Sequence, residues 1–279
     1  MSDSGAEAPR IVTADSVTKL GPEHKDQVLI GASHGGVYAG YLAAKARVRA
    51  VILNDAGIGK DQAGIGSLGY LDEVGLPAAT VDNMTARIAD GEDMMRRGQI
   101  RHVNQAAGAL GCRPGMSAMA CAEAMLAAAP FTGAAPVYEE SRFLFREGPG
   151  EPQVWGVDSA SLLRPEDAGQ IVFTASHGAL LGGRPDSAIS VPVLACAFND
   201  AGLGIDDIGI SRLPVLDERG IAAVTVDVRT ARVGDVRSSW ETGRISHFNG
   251  AAAGVGMEIG MSLSDFAEAT IRHHMAASE

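Results

Sequence analysis

The stretch RAVILNDAG, residues 49–57, is an apolar run that ends in a polar turn, and the chain repeats it as LACAFNDAG at residues 194–202. Around it, residues 54–124 and 199–269 align without a gap at a constant offset of 145, with 34 identities in 71 positions. Upstream, the match continues at an offset of 143, with the tetrapeptide ASHG in both copies. A repeat of this length corresponds to a whole domain rather than to a solenoid unit, so the sequence predicts two copies of one fold.

Apolar runs alternate with helical spacings along the first copy. Strands are predicted over 27–30, 49–53 and 78–81, and helices over 38–45, 62–73, 101–110 and 117–128. The strands are continuously apolar, which is typical of parallel sheets covered by helices on both faces. We therefore expect an α/β fold in which a small, doubly wound, mostly parallel α/β domain is internally duplicated into two pseudo-symmetric lobes.

The segment between the copies is rich in turn formers. Two extended runs, at 141–145 and 153–157, flank Gly148-Pro149-Gly150, a pattern that predicts a hairpin or paired strands. The second of these runs begins the second copy. The predicted organisation is a first α/β repeat over 11–129, a linker with an extended segment over 130–152 and a second α/β repeat over 153–275.

Composition argues against several classes of partner. The formal net charge is −11 and Lys and Arg are scattered, whereas phosphate backbones are bound by clustered positive charge, so no nucleic-acid partner is expected. No apolar run approaches the roughly 18 residues of a membrane helix, and the opening MSDSGAEAPR is polar. We expect a cytoplasmic protein without a membrane partner.

The cysteines and a glycine-rich segment are not expected to form functional sites. Cys112, Cys121 and Cys196 have no cysteine at the equivalent places in the other copy and no C-x-x-C spacing, so we interpret them as core residues. The segment 64–69 matches G-x-G-x-x-G, but it does not directly follow a strand, and the second copy reads GISRLP at 209–214. A dinucleotide is therefore not expected, and no other cofactor is predicted.

Polar identities between the copies fall at the ends of the predicted strands. Ligands of parallel α/β sheets bind beyond the carboxyl ends of the strands, where loops and helix N-termini converge. The substrate-binding candidates at these places are Gly35, Asn54, Arg87, Asp90 and Asn104 in the first copy, and Asn199, Arg232, Asp235 and Asn249 in the second. Each has a structural explanation as a turn former, a helix cap or an ion pair, but the set converges on one edge of each sheet.

The predicted catalytic residues centre on a Ser-His turn. Gly31-Ala32-Ser33-His34-Gly35 fits G-x-S-x-G between a strand and a helix. Over these five residues the chain resembles the nucleophile elbow of the α/β-hydrolases, and the resemblance implies Ser33 as the nucleophile. The second copy has Thr174 where the first glycine of this motif stands.

Two interpretations of this turn are open. In one, Ser33, His102 and either Asp55 or Asp90 form a catalytic triad. In the other, backbone N–H groups of the glycine-rich turn cradle an anion, and His34 is the acid or base. The catalytic candidates are Ser33, His34, Asp55 and His102, with their equivalents Ser176, His177, Asp200 and His247.

The second histidine pair stands in G-x-I-x-H-x-N in both copies, as His102 and His247. His34, Asp55 and His102 are of ligand types that suit a divalent metal, but neither H-x-x-x-H nor H-E-x-x-H spacing supports such a site. We therefore predict a site without metal and keep a divalent metal as the alternative.

A pocket between two α/β lobes is the expected location of the site. The first hypothesis is a hydrolase of an amide, ester or cyclic bond in a small, polar, carboxylate-bearing metabolite. The alternative is a cofactor-independent isomerase, racemase or lyase that uses a histidine from each lobe, and the second alternative is a non-catalytic small-molecule binding protein. A homo-oligomer is left open, since alanine-rich helices with few charges also pack between subunits.

Overall fold

The computed structural model describes residues 8–278, so residues 1–7 of the polar opening lie outside the described residues. The described chain contains two mixed sheets, one of five strands and one of six, and both are mostly parallel. The prediction of a mostly parallel α/β fold is confirmed. Within residues 8–278, no helix combines the length and the apolar character that crossing a membrane requires.

The first sheet defines the first half of the molecule. Its strands, in order across the sheet, are β1 (Ile11–Ala14), β2 (Val28–His34), β3 (Ala50–Asn54), β4 (Ala78–Val81) and β5 (Ile100–Val103). Strands β1 to β4 are parallel, and β5 is antiparallel to β4. Strand β2 continues past Ile30 to His34, so Ser33 and His34 belong to the strand and not to the turn after it.

Helices cover both faces of this sheet. They are α1 (Val37–Lys45), α2 (Gly66–Asp72), α3 (Gly91–Arg97), α4 (Gln105–Ala109) and α5 (Ala118–Met125). On one face α1 and α2 contribute Ala43 and Leu71 to a buried cluster, and on the other α3 and α5 contribute Met94 and Met125. The three cysteines are buried and unpaired, as expected for core residues.

The predicted helix over 101–110 is wrong in its first part. Residues 100–103 form β5, and α4 begins only at Gln105. Asn104 stands between the two and caps the helix with its side chain. The β-branched side chains of Ile100 and Val103 pack in the hydrophobic core on one face of the sheet. This packing outweighs the helical preference that the spacing of apolar residues indicated.

The second sheet defines the second half. Its strands are β6 (Arg142–Arg146), β7 (Val154–Val157), β8 (Ile171–His177), β9 (Ala195–Asn199), β10 (Ala222–Val226) and β11 (Ile245–Phe248), and they follow one another across the sheet. Strands β7 to β10 are parallel, while β6 and β11 are antiparallel edge strands. The two extended runs predicted around the Gly-Pro-Gly turn pair with each other as β6 and β7.

The halves differ after their second parallel strand. The helices of the second half are α6 (Arg212–Glu218), α7 (Val236–Thr242), α8 (Gly250–Gly254) and α9 (Leu263–Ser278). In place of α1, the chain makes 3-10 turns at Leu181–Gly183 and Pro185–Ser187, because Gly182 (φ 56°) and Pro185 interrupt a helix. Buried Arg212 donates from Nε to the carbonyl of Ala179 at 3.0 Å and holds this loop in place.

Candidate functional site

The carboxyl ends of the two sheets meet through the turns that follow β3 and β9. Gly57 and Gly202 have φ of 73° and 67°, and a methyl group on either would lie 3.1–3.2 Å from the Cα of the other. Backbone bonds also cross the junction, as where the Lys60 N–H donates to the Val228 carbonyl at 2.8 Å. The strand ends of both halves therefore form one continuous region.

Arg87 and Arg232 join the halves through ion pairs. Arg87 Nε donates to Oδ2 of Asp206 at 2.9 Å, and Arg232 Nε donates to Oδ2 of Asp61 at 2.8 Å. The two pairs occupy equivalent places in the repeat alignment. Each guanidinium that was predicted to bind substrate is thus already held by a carboxylate of the other half.

The asparagines that are identical in the two copies are hydrogen-bonded to the backbone. Asn54 Oδ1 accepts the Ala56 N–H at 2.9 Å, which closes the turn after β3. Asn104 Oδ1 accepts the N–H groups of Ala78 and Ala107, both at 2.9 Å, and so joins β4 to the start of α4. The equivalent bonds are made by Asn199 and Asn249.

Asp90, Asp235 and Gly35 also have structural contacts. The side chains of Asp90 and Asp235 cap α3 and α7 by accepting a backbone N–H three residues later, at 2.9 and 3.0 Å. A methyl group on Gly35 would lie 2.5 Å from the carbonyl oxygen of Gly64, so only glycine fits there. The identity of these residues between the copies follows from local geometry.

The hydroxyls of Ser33 and Ser176 bind the chain that precedes their strands. Ser33 Oγ accepts the Val17 N–H at 3.0 Å, and Ser176 Oγ accepts the Ala160 N–H at 2.9 Å. Ser33 is buried, and its backbone does not have the positive φ of a strained turn. In both halves the serine thus holds a 3-10 turn against the strand.

The imidazoles of His34 and His177 lie at the junction. A methyl group on Gly234 of the second half would lie 3.2 Å from Cε1 of His34. His34 Nδ1 accepts the Gly36 N–H at 3.2 Å, and His177 Nδ1 accepts the equivalent N–H at 3.3 Å. Burial lowers the pKa of His34 to about 4, and burial, then the charges of Arg212 and His34, lower the pKa of His177 well below its ordinary value. Both rings are therefore neutral at neutral pH, with the proton on Nε2.

Asp55 and Asp200 are buried carboxylates at the ends of β3 and β9. In each, Oδ1 accepts two backbone N–H groups at 2.9–3.0 Å. Burial raises the pKa of both carboxyls, although these hydrogen bonds oppose the shift. The two differ in the residue that approaches the carboxylate from β5 or β11.

A β-bulge supplies that residue. The pairing of β5 with β4, and of β11 with β10, shifts by one residue, which leaves Arg101 and Ser246 as the extra residues. Arg101 Nη1 donates to Asp55 Oδ2 at 3.2 Å, whereas the smaller Ser246 lies beside Asp200. Bulges redirect side chains in this way. Serine leaves open space beside Asp200 where the first half has an arginine.

A cavity of about 620 Å³ lies over Asp200, which is within the size range of small-molecule sites. Its walls come from both halves. The charged and titratable side chains that line it are Arg101 from the first half and Asp200, Asp227, Arg229, Arg244 and His247 from the second.

Among the described residues of the cavity, some charged side chains form ion pairs with each other, and Arg244 does not. Arg229 Nη2 contacts Asp227 Oδ2 at 2.6 Å. Hydrogen bonds from Arg229, foremost, and then the charge of Arg229 lower the pKa of Asp227. Arg244 forms no direct ion pair with any residue in the described range 8–278. Hydrogen bonds from Ser262, foremost, and then the charge of Arg244 lower the pKa of Asp265, so Arg244 lies near this carboxylate without pairing with it directly. The guanidinium therefore keeps N–H donors for an anionic ligand.

His102 and His247 share an unusual feature. Nδ1 of each ring is buried and has no hydrogen-bond partner among the described residues. His102 pairs with Thr80 in the first sheet and does not line the cavity, whereas His247 does. The same sequence motif thus places one histidine in the cavity and one outside it.

The structure brings only part of the predicted site together. Asp200 and His247 share the cavity, and Asp55 is linked to it through Arg101. The predicted residues outside its lining are Asp55 itself and Ser33, His34, Gly35, Asn54, Arg87, Asp90, His102, Asn104, Ser176, His177, Asn199, Arg232, Asp235 and Asn249.

Sequence reasoning missed all three arginines of the cavity, Arg101, Arg229 and Arg244. Asp227 directly follows β10 and is identical to Asp82, so the strand-end rule was able to identify it. Arg101 aligns with Ser246, and Arg244 aligns with Gln99, so a search for identities between the copies discards both. Residues that make the halves different carry no signal in such a search.

Among residues 8–278, no three His, Cys, Asp or Glu side chains lie in an arrangement that could hold a metal ion. Comparisons with protein-family models, with curated proteins and with solved structures found no match to this chain.

Proposed function

We propose that the chain is an internal duplication whose two lobes share one working site, the cavity over Asp200, and that it is an enzyme acting there on a small, polar, carboxylate-bearing metabolite. The observation that supports this most directly is that Arg101, Arg244 and His247 line one cavity built from both halves. Guanidinium groups bind carboxylates through paired N–H donors, and domain junctions are preferred places for substrate pockets.

The reaction proposed is hydrolysis of an amide, ester or cyclic bond. Arg244 binds the substrate carboxylate, and His247 takes a proton from water as the water oxygen attacks the carbonyl carbon. The guanidinium of Arg101 stabilises the charge that develops on the carbonyl oxygen. The C–N or C–O bond then breaks, and His247 returns the proton to the leaving nitrogen or oxygen. The scheme uses no metal or cofactor, and metal analysis of the purified protein tests that choice.

Water is favoured over Ser33 as the nucleophile. The Ser33 hydroxyl oxygen already accepts the Val17 N–H, and Ser33 does not line the cavity. His247 lines it, and an imidazole is the commonest base for activating water near neutral pH. We also propose a reducing location such as the cytoplasm, which the three unpaired cysteines support.

The second candidate is a cofactor-independent isomerase or lyase that uses His34 and His177. It is favoured by one observation, which is that the two imidazoles come from equivalent strand ends and that His34 lies against Gly234 of the second half. Under this proposal His34→Asn and His177→Asn each abolish exchange of the substrate proton with solvent, while His247→Asn does not.

Replacing His247 tests the hydrolytic proposal. A panel of N-acyl amino acids, lactams and carboxylated esters is incubated with the protein, and acid release is followed by pH-stat titration. We expect His247→Asn to lower the rate by roughly 10²–10⁴-fold, because it removes the general base. His273→Asn, on the exposed face of α9, is the matched control. Equal rates for His247→Asn and the wild type contradict the assignment, and binding without turnover of any substrate indicates a binding protein instead.

A further inference from the structure

The cavity over Asp200 also has an exposed apolar wall. Met84, in the first half, and Ile259, in the second, both line it, and they are 57% and 72% exposed. Large apolar side chains left open to solvent inside a concave site are a feature of ligand contacts, because a ligand is what removes them from water. Solvent contact with both is therefore expected to end when the site is occupied.

The cavity also has charged lining residues. Arg229 and Asp227 form an ion pair, and Arg244 lines the same cavity without a direct ion pair in the described part of the chain. In the repeat alignment Met84 corresponds to Arg229. Two residues at equivalent places thus give the cavity one apolar and one cationic lining side chain.

Two other residues that line the cavity also differ from their equivalents in the first half. Ile259 corresponds to Pro114, and Arg244 corresponds to Gln99. At these two positions the second half supplies a long apolar side chain and an arginine, where the first half has a proline and a glutamine. A ligand that fills this space must match an arginine and an aliphatic surface at once.

We infer that the natural ligand is an amphipathic anion, a carboxylate with an aliphatic or aryl substituent, whose carboxylate binds Arg244 and whose substituent packs between Met84 and Ile259. This substrate class rests on the proposed function, since it concerns the same cavity. It goes further in assigning the apolar residues to selectivity.

Binding of four probes to the full-length protein tests the inference by isothermal titration. The probes are acetate, cyclohexanecarboxylate, benzoate and the neutral cyclohexanecarboxamide. We expect cyclohexanecarboxylate and benzoate to bind at least about 10-fold more tightly than acetate, because burial of apolar ligand surface adds to the ionic contact. Cyclohexanecarboxamide is expected to bind more weakly than its carboxylate.

Variants test the separate roles of the apolar residues and of Arg244 in binding. Met84→Ser and Ile259→Ser should each weaken cyclohexanecarboxylate binding by about 3–10-fold and leave acetate binding unchanged. Arg244→Gln should weaken all the carboxylates. Met119→Ser is the matched control, because Met119 is also exposed, lies away from the cavity and aligns with Ser264.

The outcomes separate this inference from the proposed function. If acetate and cyclohexanecarboxylate bind equally and Arg244→Gln weakens both, the apolar wall is not a selectivity element, while the carboxylate site stands. If the amide binds as tightly as the carboxylate, the carboxylate site is wrong. If neither Met84→Ser nor Ile259→Ser changes any affinity, the inference is overturned.

Discussion

Ser33 and Ser176 show how single residues at the strand ends are used. Each hydroxyl oxygen accepts one backbone N–H, from Val17 and Ala160 respectively. The Ser33 bond lies in the protein interior, where water cannot replace the lost acceptor. An unpaired buried N–H costs about 1–3 kcal/mol. The role of Ser33 is therefore expected to appear in stability.

Replacement of Ser33 by alanine should lower the free energy of unfolding by about 1–3 kcal/mol in urea denaturation. A fluorophosphonate probe should leave Ser33 unlabelled in the wild type, because the buried hydroxyl lies outside the cavity. Ser190→Ala, at an exposed position, is the control for stability. Labelling at Ser33 would restore the nucleophile-elbow interpretation.

At the scale of elements, the bulge in β5 and β11 determines where the cavity opens. It places Arg101 and Ser246 at equivalent points beside Asp55 and Asp200. An arginine fills the space in the first half, and a serine leaves it open in the second. The sequence predicted a helix at β5, so neither the bulge nor the direction of these two side chains was expected from it.

The segment 132–141, which leads from α5 to β6, contains the best candidate for a pH effect on stability. Glu140 lies beside Tyr38 of α1, Ser159 and the carboxylate of Asp158. Burial, and then the charge of Asp158, raise the pKa of Glu140 from 4.5 to about 7. Ionised Glu140 is thus disfavoured in the folded chain.

The raised pKa of Glu140 makes the folded chain less stable as the pH rises. Between pH 4.5 and 7 the unfolded chain releases the Glu140 proton while the folded chain retains it, so the contribution of Glu140 to stability falls as the pH rises. Glu140→Gln should therefore be stabilised relative to the wild type at pH 8 and should differ least at pH 4. Urea denaturation across this range measures the difference. Glu139→Gln, at an exposed neighbour, should follow the wild type at every pH.

At the scale of the whole molecule, close backbone contact holds the halves together. A methyl group on Gly59 would lie 2.5 Å from Cγ2 and 3.0 Å from the carbonyl oxygen of Val228 in the other half. Gly75 has a similar positive φ, 71° against 68°, but no atom lies within 4 Å of the corresponding position. Replacing each glycine by alanine therefore distinguishes the cost of backbone strain, which both share, from the cost of packing at the junction, which only Gly59 has.

Gly75→Ala should cost about 1–2 kcal/mol of unfolding free energy, because alanine is strained at positive φ. Gly59→Ala should cost about 1–3 kcal/mol more, because overpacking at the junction is added. Equal losses in urea denaturation would mean that the contact between the halves does not contribute to stability.

Much of the fold was predictable from local patterns. Continuous apolar runs indicated parallel strands such as β3 and β4, since a strand buried on both faces has no polar side. The helix at α5 and the pairing of β6 with β7 were predicted for similar local reasons. The loop that replaces α1 in the second half was not, because the prediction was carried over from the first copy.

The sequence by itself determined the parallel strands β2, β3 and β4, the position of polar groups at the strand ends and the pairs of equivalent residues, because these depend on local periodicity and on direct comparison of the copies. Only the tertiary structure decided which polar groups are already bound and which face open space. Arg87 is held by Asp206, far along the chain, whereas Arg244 forms no direct ion pair within the described residues and interacts with Asp265 only through its charge. Such contacts depend on how the two halves dock and on where a bulge turns one side chain, and neither has a local sequence signal.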